Sequence, residues 1–152
     1  MALIDNIGAF LAAKITTGTF GDNTVTGLVV GENLYFGRTP AEALNAAVTI
    51  YQYEGQPPTF TMGPAISAVE HPRIQISVRG DQEDYPGAYA MATRIRNILA
   101  GFAVPDATYF PYVIRIEPLS IPNPMPYDDN NRPKFVTNFE FFTTSNDGTP
   151  TV

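Results

Sequence analysis

The chain has no cysteine in its 152 residues, which excludes disulfides, thiolate zinc centres and cysteine nucleophiles. It has one histidine, His71, so chemistry that needs a titrating imidazole has to pass through that single side chain. His71 precedes Pro72 at the start of a strand-like run, where a surface or entry-turn role is expected. Charge is sparse as well: charged residues make up 16% of the sequence, against about 25% in an average globular protein. Fifteen acidic residues outnumber nine basic ones, for a formal charge of −6. That balance repels a phosphate backbone and argues against sequence-reading of nucleic acid. No stretch approaches the roughly 18 uninterrupted apolar residues of a membrane span. The first ten residues lack a basic leader and carry Asp5 within an apolar run, a poor secretory signal. A soluble protein is expected. There is no Gly-x-Ser-x-Gly elbow, no phosphate-cradling Gly-x-x-x-x-Gly-Lys loop and no His-Glu-x-x-His helix, and no repeat at a fixed period.

What is present is the patterning of a globular domain. Hydrophobic residues make up 44% of the chain. A chain of this length buries about 68 to 70% of its unfolded surface, enough for a self-sufficient core. One domain over residues 1–144 is expected. Residues 145–152 lose all periodicity and include Gly148 and Pro150, which predicts a flexible C-terminal tail.

Leu3, Ile4, Ile7, Phe10, Leu11 and Ile15 recur at helical spacing and predict an amphipathic helix over about residues 3–15. In the Thr- and Gly-rich stretch from Thr16 to Pro40, two apolar runs, 27–30 and 33–36, read as short strands or an ordered loop. Residues 46–53 are β-branched and aromatic and stop at Glu54-Gly55, with Pro57-Pro58 beyond, which predicts a strand and then a turn. Arg73 to Arg79 alternates cleanly, with Ile74, Ile76 and Val78 on one face. Ala88, Met91, Ala92, Ile95, Ile98, Leu99 and Phe102 form the stripe of a second helix. Its start carries Asp81, Glu83 and Asp84, with Pro86 in the first turn, and Gly101 is placed to end it. Arg94 and Arg96 flank the stripe on opposite sides, where their stems can cover apolar surface.

Residues 112–142 read as a long hairpin. Its arms are Tyr112 to Glu117 and Arg132 to Phe142, rich in Val, Ile, Phe and Thr. Between them Pro118, Pro122, Pro124 and Pro126 forbid a central strand and predict an extended arm, followed by an acidic turn at 128–131. The fold class that accommodates this order is α+β: a four- to five-stranded, largely antiparallel or mixed sheet with two helices packed on one face.

Asp128-Asp129-Asn130-Asn131 lacks the alternating ligands and distal Glu of a calcium loop and reads as a polar turn. Arg79-Gly80-Asp81 spells an adhesion tripeptide, but its glycine is explained by the turn that leaves a strand. No metal or cofactor is expected. Eight Tyr, ten Phe and seven Arg against two Lys lean toward the residue types enriched in protein interfaces.

Three blocks carry a resemblance. They are residues 48–58, beginning Val48-Thr-Ile-Tyr-Gln-Tyr; residues 71–80 with the helix after them, which contains Ala92-Thr-Arg-Ile-Arg-Asn-Ile-Leu99; and residues 128–142, with Asn131-Arg-Pro-Lys-Phe135 and Thr137-Asn-Phe139. In order and spacing the chain resembles the bacteriophage tail terminator and minor capsid proteins of the head-to-tail connection. The resemblance implies a homo-oligomeric ring, typically a hexamer, located in the virion and assembled in the host cytoplasm. It implies a cap on the tail tube that stops addition of tube protein, joins the head-tail connector protein and lets DNA pass without sequence-specific binding. It implies no enzyme activity, cofactor or membrane.

Two loops place opposite charges where such contacts are expected: Arg79, Asp81, Glu83 and Asp84 at one, and Asp128, Asp129, Arg132 and Lys134 at the other. Arg94 and Arg96 complete the candidate interface set. The alternatives are a head-completion or stopper subunit, or a small-molecule binding or hydrolytic domain pairing His71 with Glu70 or Asp84.

Overall fold

The computed structural model describes residues 3–21, 26–60, 68–100 and 106–144, with the backbone alone at 54–60 and 68. Helix α1 spans Leu3–Lys14 and turns Ile7, Phe10 and Leu11 into the core. Asp5 in its first turn and Lys14 in its last oppose the helix dipole. Strand β1, Leu34–Phe36, runs parallel to β2, Ala47–Phe60, with Leu34 opposite Val48. The second apolar run of the Thr- and Gly-rich stretch is therefore a strand, whereas residues 27–30 contribute only an isolated bridge from Val30 to Leu34.

β2 turns back into antiparallel β3, Ala68–Arg79. Both strands are longer than their composition predicts: β2 does not stop at Tyr53, and β3 begins before Arg73. The ladder passes the prolines by shifting register between Tyr53 and Gln56 and again between Gln56 and Thr59. Pro57 and Pro58 thus fall between paired positions. β1 ends opposite Ile50, so the outer edge of β2 beyond it is open to residues that cannot donate.

Helix α2, Tyr85–Ala100, follows, then β4, Val113–Pro118, β5, Asn123–Met125, and β6, Lys134–Thr143. The Gly101 cap and Phe102 fall outside the described residues, as does the tail at 145–152. The six-stranded mixed sheet runs β1-β2-β3-β6-β4, with β5 beside β6. β4 and β5 share one side of β6: β4 lies along Phe139–Thr143, and β5 along Lys134–Val136. The proline-studded link is therefore an extended edge segment, consistent with a chain that lacks amide donors at alternate positions.

Both helices cover the same face. Ile74, Ile76 and Val78 of β3 lie opposite Phe139, Thr137 and Phe135 of β6. They pack with Val48 and Ile50 of β2 and with Phe10, Leu11, Ala92 and Ile95 of the helices. Alternation sends Arg73, Gln75, Ser77 and Arg79 to the opposite face. There Arg73 Nε pairs with Glu140 Oε1 at 3.1 Å across the strands.

Candidate functional site

β3 leaves the sheet at Arg79 exactly where β6 enters it, because Arg79 and Lys134 are register partners. The loops on either side are thereby brought together, and backbone bonds fasten them. The Gly80 amide donates to the Pro133 carbonyl at 2.8 Å, and the Glu83 amide to the Asn131 carbonyl at 2.9 Å. Gly80 is required by proximity: a Cβ there would come within 2.8 Å of the Ala88 methyl and 3.1 Å of Pro133 Cγ.

The 128–132 turn is built around one carboxylate. Asp128 Oδ1 accepts from the amides of Asn130 at 2.9 Å and Arg132 at 3.0 Å, and Oδ2 accepts from Arg132 Nε at 2.7 Å. Burial pushes the Asp128 carboxyl up. The Arg132 amide, the Arg132 guanidinium and the Asn130 amide together outweigh burial and hold it below the usual carboxylate range. At the other loop, Asp84 Oδ1 accepts from the Gly87 amide at 3.1 Å and so caps the first turn of α2.

Asn45 joins the two loops. Its side chain accepts from Arg132 Nη1 at 3.3 Å and donates to Asp81 Oδ1 at 3.2 Å. Its carbonyl accepts from Arg79 Nε at 2.8 Å, while Arg79 Nη2 donates to the Leu44 carbonyl at 2.8 Å. The guanidinium of the adhesion-like tripeptide is therefore spent inside the chain, fastening residues 44–45 to the end of β3. Sequence reasoning missed Asn45. An asparagine before a strand is ordinary, and its partners lie 36 and 87 residues away.

Eight of the ten candidate residues meet at this end of the sheet. Of these, Glu83 and Asp129 are exposed, while Arg79, Asp81, Asp84, Asp128, Arg132 and Lys134 are half-buried. The other two stand further along α2. Arg94 is exposed, and Arg96 is half-buried with Nε donating to the Ser120 carbonyl at 3.3 Å.

The hydrolytic arrangement does not form. Glu70 and His71 are successive strand residues and point to opposite faces. Glu70 lines a cavity of about 590 Å³ with Asn6, Gln52, Tyr109 and Tyr112, whereas the His71 ring sits edge-on to Phe142 at 4.9 Å. Asp84 is at the far end of β3, beyond Arg79. Among the described residues no group of three or more His, Asp or Glu could hold a metal ion, and no helix is long and apolar enough to cross a membrane.

The profile of a family described as bacteriophage tail terminator protein matches residues 23–144, a span that includes every strand and α2. No curated protein matches the chain. Among solved structures, a chain from the virion of a native gene transfer agent particle is similar at 15% identity and a TM-score of 0.49, over 76% of this chain and 81% of that one.

Proposed function

We propose, for a chain that belongs to the bacteriophage tail terminator family, that six copies close into a ring on the finished tail tube. The ring stops further addition of tube protein and presents a surface to the head-tail connector protein. The family is one of structural virion proteins and not of enzymes, so the chain is a virion component. The observation that carries the reading is the family match across residues 23–144.

The physical chemistry supports it. A net charge of −6 suits a passage through which DNA slides without sticking. The end of the sheet at Arg79 and Lys134 is a rigid, hydrogen-bonded platform carrying the exposed carboxylates of Glu83 and Asp129. In this reading those groups, with Arg94 and Arg96 on α2, meet neighbouring subunits or the tube.

Native mass measurement of the purified protein, alone and with tube protein, tests the ring, and the length distribution of growing tubes tests the cap. The expected result is a closed oligomer and tubes that stop lengthening when the protein is added. Tubes that lengthen unchecked, with no complex formed, would overturn the reading. Binding to connector proteins but not to tube would move the role to a stopper.

A further inference from the structure

At the end of the sheet away from Arg79 and Lys134, Glu70 and Thr143 are register partners. Both line the cavity of about 590 Å³, together with Asn6, Gln52, Tyr109 and Tyr112. That volume is in the range of small-ligand sites, about 300–1,000 Å³. The core sets its walls. Phe110, between the tyrosines, is buried with its ring centroid 5.1 Å from that of Phe10 on α1, and the Phe10 ring also meets Tyr109 edge-on at 5.6 Å. The Tyr112 carbonyl accepts from the Thr144 amide at 2.9 Å, which ties the tyrosine loop to the end of β6.

Polar groups around this cavity are unspent. At the other end of the sheet Arg79, Asp128 and Arg132 are bonded within the chain. Here the side chains of Asn6, Gln52, Glu70, Tyr109, Tyr112 and Thr143 make no hydrogen bond or ion pair among the described residues. Thr143 is only 8% exposed, and a hydroxyl buried to that degree is costly to leave without a partner.

Charge narrows the choice of ligand. Glu70 is the one charged side chain among the described residues that line the cavity, and no Lys or Arg offsets it. The bases that follow it on β3 serve the opposite face, where Arg73 pairs with Glu140. A carboxylate matches the fork of a guanidinium, and tyrosine rings attract the same cation. Residues 145–152 carry Asp147 and no base, so the chain's own end does not supply it.

We propose that this cavity receives an arginine presented on an extended segment of a second virion protein. The inference rests on the reading of the chain as a component that joins tube and connector, and it gives that joining a site.

Glu70→Gln and Glu70→Arg, made in the full chain, test it in two ways. In the first, N-acetyl-arginine amide and its neutral isostere N-acetyl-citrulline amide are titrated into isotopically labelled protein. The arginine compound is expected to shift the amide resonances of Glu70, Tyr109, Tyr112 and Thr143 to saturation. The citrulline compound should bind at least tenfold more weakly, and Glu70→Gln should remove the difference. In the second, native mass measurement follows complexes with tube protein and with connector protein. Glu70→Arg is expected to lower one of these complexes at least tenfold, with self-association and circular dichroism unchanged.

Equal shifts from the two compounds, or none, would overturn the cation site. Both complexes at wild-type level in Glu70→Arg would overturn the partner. So would loss of self-association alone, which would give the cavity to a second copy, or a nuclear Overhauser contact from Tyr112 to residues 145–152, which would give it to the chain's own end. If the unmodified protein forms neither complex, the joining role falls and the partner with it, while a preference for the arginine compound would leave the cation site standing.

Discussion

The amide of Glu83 donates to the carbonyl of Asn131 at 2.9 Å, and both residues stand in the left-handed region, at φ of 56° and 58°. Each turn holds the other in a conformation that an L-residue adopts at a cost of about 1–2 kcal/mol. The start of α2 and the start of β6 are thereby set with respect to each other.

Asn131 tolerates that geometry because a short polar side chain can bond locally. Asn131→Val is expected to destabilise the fold by about 1–2 kcal/mol, and Asn131→Gly to leave it within a few tenths of wild type. Urea unfolding midpoints of the two variants check this. Equal midpoints for Val and Gly would mean that the turn relaxes without strain.

Arg132→Ala removes the guanidinium from Asp128 Oδ2 and from Asn45 Oδ1. Hydrogen bonds to charged groups are worth about 1.5–3 kcal/mol, and the loss in unfolding free energy is expected in that range. Arg132→Lys should recover only part of it, since an ammonium cannot reproduce the fork. Because the side chain holds the fold together, any assembly defect has to be measured at a temperature where the variant is fully folded.

Acid should weaken the same turn. The folded-state pKa of Asp128 is depressed, so the carboxylate contributes stability at pH values above its unfolded pKa of about 3.9. That contribution disappears as pH falls through the folded value. Between neutral pH and about pH 3, wild type should lose more stability than Asp128→Asn does. Parallel stability-versus-pH curves for the two proteins would contradict this.

At the helix start, Asp84→Ala leaves the Gly87 amide without its acceptor and is expected to cost about 0.5–2 kcal/mol. Gly87→Ala should be harmful for a different reason, because the added methyl would overlap the Asp84 carboxylate. Thermal unfolding of both variants, and of the pair, tests the idea. The double variant should lose less than the sum, since each change disturbs the same contact.

Most of the architecture was legible from periodicity. The stripe from Ala88 to Leu99, the alternation of Ile74, Ile76 and Val78, and the Phe-rich arm from Phe135 to Phe141 all bury the faces that their spacing assigns. The extension of β2 past Tyr53 was not legible. Glycine and proline mark a turn locally, while the register shifts that carry the ladder past them depend on the partner strand. The pairing of β1 with β2 was hidden too, since three residues carry little pattern and their parallel partner is set by tertiary contact.

The candidate charges were found as two separate loops, and the strand register at Arg79 and Lys134 makes them one. Much of their charge turned out to serve internal bonds, because long Arg side chains reach carbonyls that only the folded chain brings near. The five exposed apolar groups on and after β4, Ile114, Leu119, Ile121, Met125 and Tyr127, escaped notice for the converse reason. In a sequence, an exposed isoleucine is indistinguishable from a buried one.

Pro111 and Pro118 bracket β4, and further prolines interrupt the residues after it. A stray strand approaching this side meets no more than six consecutive amides. Short edge strands and prolines are devices by which native edges discourage pairing with other chains, so crowded copies waiting to be used are less apt to join edge to edge along the side that exposes Ile114, Leu119, Ile121 and Met125.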